Sequence, residues 1–201
     1  MRAHENPFRT ERIESLLTFR PEWIGESWDG ILDRWDSLGR FAAIVGPHGS
    51  GKTTCLESLS ALLRSRGHSV QHLKVHSFRA GDLPRVRPES VVLLDSVGLC
   101  STASRVYGWT RWGFWGELQH RIKQCAGLIE VRHQRGFRPV LLRTRTTPGM
   151  LGNCIRAVHT SHGLSDAEVA KLFRRHRGNL RSALRECYDR ETNRAVSLNP
   201  R

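Results

Sequence analysis

Phe41-Ala42-Ala43-Ile44-Val45-Gly46-Pro47-His48-Gly49-Ser50-Gly51-Lys52-Thr53-Thr54 organises the whole chain around it. Phe41–Val45 is a short apolar run bounded by turn residues, the pattern of a strand buried on both faces. The next eight residues, Gly46 to Thr53, fit G-x-x-x-x-G-K-[ST]. Beyond them Leu56, Leu59, Leu62 and Leu63 share one helical face as far as Gly67. The pattern alone arises by chance, but a chance glycine turn is not expected between an apolar strand and a leucine-striped helix.

The chemistry of such a loop accounts for each residue. Gly46, Gly49 and Gly51 are expected to allow positive φ and close backbone approach to phosphate. The loop N–H groups and the following helix N-terminus then face the anion. Lys52 is placed to reach the β- and γ-phosphates, Thr53 to ligate Mg²⁺, and Thr54 to touch the α-phosphate. Pro47, His48 and Ser50 complete the cradle, with His48 read as a spacer. The expected ligand is a nucleoside triphosphate, ATP with Mg²⁺.

Val91-Val92-Leu93-Leu94-Asp95 lies about forty residues past the loop and reads as a second buried strand ending in a carboxylate. Asp95 is expected at the carboxyl end of that strand beside Thr53, holding the metal. The plain alternative is a turn aspartate. Ser96-Val97-Gly98 follow it and carry no carboxylate. A general base for water is therefore missing from the adjacent position, so ATP hydrolysis is an open expectation.

Outward from these two strands, Trp28, Ile31, Leu32 and Trp35 form a helical stripe over 27–38, with Ser27 as N-cap and Gly39 as stop. Val70–Val75, Gly127–Val131 and Pro139–Arg145 read as further strands, and 111–124 as a helix. From Met150 on only helices are expected. Ser165-Asp166-Ala167-Glu168 is a capping box, and Gly178-Asn179 separates the last two helices. Strands alternating with helices predict a parallel α/β sheet, and the helical tail predicts an appended lid. The expected division is 1–40 as an N-terminal segment at the nucleotide pocket, 41–149 as the α/β core, and 150–201 as the lid.

The order of these parts resembles the AAA-type branch of the P-loop ATPases over nearly the whole chain. The loop sequence is also similar to that of small bacterial ATP-binding proteins. The resemblance implies a three-layer P-loop sandwich with a five-stranded parallel sheet in order 5-1-4-3-2 and adenine held between N-terminal segment and lid. By the same resemblance Arg132 or His133, at the end of the strand Gly127–Val131, would be a sensor of the γ-phosphate. Gly178-Asn179-Leu180-Arg181 resembles a sensor-2 segment, which makes Arg181 a candidate catalytic residue beside Lys52 and Asp95. A solvated strand end and a solvated basic helix face are the plain readings of these two segments.

Two other classes stay open. One is a small-molecule P-loop kinase with Arg174, Arg175 and Arg177 as clamp. The other is a non-hydrolysing nucleotide-gated module. Strand order separates the first from an AAA-like protein: the Asp95 strand is adjacent to the loop strand in many kinases, and one strand removed in AAA-like folds.

The net charge is +13, carried by 28 Arg and 4 Lys. Such a balance fits a nucleic-acid partner, but codon composition also enriches Arg, and the charge is spread along the chain. Nucleic acid and an unknown protein both stay open as partners. Trp109, Trp112 and Trp115 are read as packing, with stacking on nucleic acid or a protein interface as alternatives. The evenly spaced His68, His72 and His76, and the pair His159 and His162, lack metal-ligand neighbours and read as surface or packing residues. Five scattered cysteines without a C-x-x-C pair read as free thiols of a cytoplasmic protein. No membrane span or secretory leader is expected.

Overall fold

The computed structural model of the chain describes residues 6–8, 13, 16–74, 84–95, 111–134, 136–160 and 163–197, with the side chains of 111–115 and 194–197 excepted. Five strands form one sheet: β1 (Phe41–Val45), β2 (Ser69–Lys74), β3 (Ser90–Asp95), β4 (Gly127–Arg132) and β5 (Val140–Arg143). The order is β2-β3-β4-β1-β5, and every pairing is parallel. This is the 5-1-4-3-2 order read from the other edge. One strand, β4, lies between β1 and β3.

Three helices accompany the strands: α1 (Trp28–Ser37), α2 (Lys52–Ser65) and α3 (Arg111–Ile122). Ser27 caps α1 by accepting from the Gly30 N–H, as the local pattern requires. Ile31, Leu32 and Trp35 of α1 and Leu56, Leu59 and Leu63 of α2 pack on Ala42, Ile44, Leu93 and Ile129. Leu118 and Ile122 of α3 cover the other face at Val92, Leu94 and Leu128. Period-2 alternation thus sends neighbouring residues of one buried strand into two different cores. The Trp35 indole N–H donates to the Leu128 carbonyl at 3.3 Å. Its ring lies where a side chain at position 127 would stand, so Gly127 opens β4 for steric reasons.

A third apolar cluster belongs to α4 (Pro148–Val158), α5 (Asp166–Arg175) and α6 (Leu180–Ser197). Leu151, Ile155, Val158, Val169, Leu172, Ala183, Leu184 and Cys187 form its centre. Phe8, Ile13, Leu17 and Trp23 from the N-terminal segment pack into the same cluster. The segment before α1 therefore packs on both bodies, since Phe19 and Ile24 join the sheet core while Phe8, Ile13, Leu17 and Trp23 join the tail helices. Asn6 ties this arrangement by donating to the Tyr188 carbonyl and the Thr192 hydroxyl, both at 2.9 Å. The capping box at Ser165 and Glu168 is present in full.

Cys55, Cys125, Cys154 and Cys187 are buried and free. His159 stacks on Phe8 at 6.0 Å, a packing role. Among the described residues no group of three or more potential ligands could hold a metal, and no helix is long and apolar enough to cross a membrane. Ser96–Gly98, Trp109, His76, Cys100 and His162, and the side chains of Trp112 and Trp115, lie outside the described residues.

Candidate functional site

In a parallel sheet all strands end at the same edge, and loops after those ends share one crevice. The Gly46–Gly51 loop leaves β1 there and enters α2 at Lys52. Gly49 and Gly51 have φ of 69° and 79°, as expected of this turn. Gly46 is a glycine for another reason: it does not have positive φ, but a Cβ there would overlap the Thr144 hydroxyl. Ser50 Oγ lies 2.6 Å from Thr144 Oγ1 and donates to the Pro47 carbonyl at 2.8 Å. Ser50 and Thr144 are both buried, so this pair pins the loop onto the end of β5.

The α2 N-terminus has Gly51 as its cap and no side chain bonded to its first N–H groups. Those groups keep their hydrogen-bonding capacity for a ligand. Thr54 stands half-buried on the same first turn. Lys52 is only 5 % exposed and donates from Nζ to the Pro47 carbonyl at 2.5 Å. Burial lowers its ammonium to a pKa of about 8; the Asp95 carboxylate opposes the shift and the Arg181 guanidinium adds to it. The Arg181 guanidinium is thus near enough for its charge to act on Lys52, although the residue is exposed.

Asp95 ends β3 at 3 % exposure. The Thr53 hydroxyl donates to Asp95 Oδ2 at 3.1 Å. Asp95 Oδ1 is buried and has no hydrogen-bond partner among the described residues. An unpaired buried carboxylate oxygen is costly unless something else takes it up.

β4 ends between these two strands. Arg132 does not face the loop; it bonds Glu130 through Nε at 2.6 Å, and Arg138 lies 3.5 Å from the other Glu130 oxygen. Glu130 is 1 % exposed, in register with Leu94 of β3 and Ala43 of β1. It sits on the α3 face, away from Thr53, and both carboxylate oxygens are engaged. His133 follows and stacks on His48 with ring centroids 3.7 Å apart. Burial holds His133 below its usual pKa, helped by the charges of Lys52 and His48; the Gly46 backbone and Asp95 oppose. That backbone contact falls short of a hydrogen bond, and both ring nitrogens are buried without one. His48, itself exposed, thus has a ring partner in His133.

The tail reaches the same place. The Leu180 N–H donates to the Gly49 carbonyl at 3.3 Å. Asn179 Oδ1 caps α6 by accepting from the Ser182 N–H at 3.0 Å, and the Asn179 side chain fills the space a Cβ on Gly49 would need. Thr146 Oγ1 donates to the Gly178 carbonyl at 2.9 Å. Lys52, Thr53, Asp95 and Arg181 are thereby brought to one crevice from three separate stretches of chain. Sequence reading placed Asn179 at the start of the last helix, but it did not find Thr144, the contact of Asn179 with Gly49 or that of His48 with His133. The threonines after β5 were the only local signal for Thr144.

A scan against protein-family models finds no match, and a search of curated proteins finds none.

Proposed function

We propose that this chain binds a nucleoside triphosphate, ATP with Mg²⁺, at the Gly46–Thr54 loop as an AAA-like P-loop protein. The observation that carries the reading is the meeting of Thr53 and Asp95 across 42 residues at the carboxyl ends of β1 and β3, with Asp95 Oδ1 left over. One carboxylate oxygen and one hydroxyl suit a hard cation that keeps most of its waters. Bound there, the cation would neutralise charge between the β- and γ-phosphates. The open N–H groups of α2 take the phosphate oxygens, and Lys52 leaves the Pro47 carbonyl for them. His133 and Arg181, which both interact electrostatically with Lys52, would meet the terminal phosphate. The loop–α6 bond at Gly49 and Leu180 gives ligand binding a direct mechanical path to the tail helices.

The position of β4 between β1 and β3 favours this reading over a kinase. Hydrolysis is expected to be slow. Ser96-Val97-Gly98 directly after Asp95 carry no carboxylate, and Glu130 is held by two arginines on the other face of the sheet. A positioned general base contributes about 10²–10⁴-fold, so turnover is expected at least ~100-fold below an ordinary ATPase. A nucleotide-gated switch acting on a partner is the function these features support.

Calorimetric titration of the full chain with ATP, with Mg²⁺ and with EDTA, tests the proposal. Magnesium-dependent binding that Lys52→Ala removes is expected. Unchanged ATP binding in that variant would refute it. Rapid phosphate release would refute the slow-turnover part alone.

A further inference from the structure

The stretch from Val169 to Arg185 contains 17 residues, five Arg and one Lys, and no acidic residue. The structure sorts these arginines. Arg175 is paired with Glu186, which also takes His176 at 2.6 Å and Arg190 at 2.5 Å. Arg174, Arg177, Arg181 and Arg185 are exposed, and none of their side chains has an ion pair or hydrogen bond among the described residues. Arg181 and Arg185 are four apart and share one face of α6. Arg174 and Arg177 stand at the end of α5, the end that meets the start of α6. Arg145 is exposed beside them, because its neighbour Thr146 bonds Gly178. Glu186 thus gathers three cations of this hairpin, while the side chains of Arg174, Arg177, Arg181 and Arg185 are left without an acidic partner among the described residues.

We infer that this arginine row is a docking surface for the phosphate backbone of a double-stranded nucleic acid. Guanidinium groups bind phosphate oxygens in pairs, and unpaired ones need displace no internal partner. The duplex is favoured over a single strand because no described aromatic side chain belongs to the row. Phe173 and Tyr188 pack inward on the third core, and stacking platforms are what single-strand sites use. The duplex also carries the denser charge, about one per 1.7 Å of axis. An acidic protein would meet the same charges but lacks that density. The inference does not rest on nucleotide binding, since only Arg181 of the row acts on Lys52.

Fluorescence anisotropy of a labelled 20-base-pair duplex across a salt series, with the full chain and no nucleotide, tests it. Four phosphate contacts predict a slope of log K against log salt of about −3.6. R174E/R185E lowers the net charge from +13 by 4 to +9. It should weaken binding at least ~30-fold and flatten the slope by about 2. R85E/R87E makes the same charge change before β3, at the opposite edge of the sheet, and should weaken binding less than ~3-fold. Thermal midpoints of both variants verify folding. Equal weakening by the two variants would overturn the inference, leaving only a general field. So would tighter binding of a single strand, or competition by polyglutamate as effective as unlabelled duplex at equal charge.

Discussion

The two sides of the crevice are built on opposite terms. On the loop side, Ser50, Thr144 and Lys52 are bonded to one another or to the Pro47 carbonyl, and Gly46 and Gly49 are filled against by Thr144 and Asn179. On the strand-tip side, Asp95 Oδ1 and both nitrogens of His133 are buried without hydrogen-bond partners among the described residues. The first side is completed by folding. The second holds polar atoms in a place that costs stability, a cost that the proposed ligand would relieve.

This contrast can be broken at several points, the largest effect first. Lys52→Ala should lower ATP affinity roughly 100-fold, the loss of a charge-assisted contact worth about 2–3 kcal/mol. The thermal midpoint without nucleotide should change little, because the cost of burying the ammonium offsets its bond to the Pro47 carbonyl. Calorimetry and a melting curve read both.

Gly46→Ala should destabilise the apo protein by about 2 kcal/mol, or roughly 4–8 °C, as the methyl meets Thr144. Gly67→Ala is the control: its φ is 84° but nothing lies within 4 Å of a Cβ there. Its melting curve should shift by less than half as much. Equal shifts would show that the Thr144 overlap costs no more than a strained φ does at an open position.

Asp95→Asn should cost the apo protein under about 1 kcal/mol and abolish the roughly tenfold gain in ATP affinity from Mg²⁺. If this variant melts lower than Gly46→Ala, the strand tips are structural and the contrast fails.

The smallest effect lies outside the crevice. Burial raises the Glu186 carboxyl, but His176 and then Arg190 outweigh it, so its pKa lies below the usual value of 4.5. A depressed acid stabilises the fold above its unfolded pKa and loses that contribution as pH falls through the folded one. Glu186→Gln should therefore cost about 0.5–1 kcal/mol at pH 7. The difference from wild type should shrink below about pH 4.5 in urea melts. A pH-independent difference would point to packing instead.

Legibility in the sequence followed the range of the interaction. β1 matches its expected residues, α1 and β3 differ by a residue at an end, and the Ser165 capping box is as read, because periodicity and capping are local signals. The strand at 139–145 shortened to Val140–Arg143, since pairing with β1 sets where a strand stops. Gly46 was read as a φ requirement and proved a packing one. Arg132 was read as a strand-tip cation and proved the partner of Glu130, a contact that two-residue spacing on one strand face permits but does not announce. His48 showed no pattern at all, because its neighbour lies 85 positions away in the chain.

By itself the sequence determined the parallel α/β class, the turn chemistry of Gly46–Thr53 and the residue types able to hold phosphate and metal. These follow from backbone conformation and side-chain periodicity, which act over a few residues. Only the tertiary structure decided that Asn179 closes on Gly49, that His48 stacks on His133, and which of the described arginines stay unpaired. Those outcomes depend on which distant groups packing brings within a few ångströms, and that distance is not a property of any one stretch of chain.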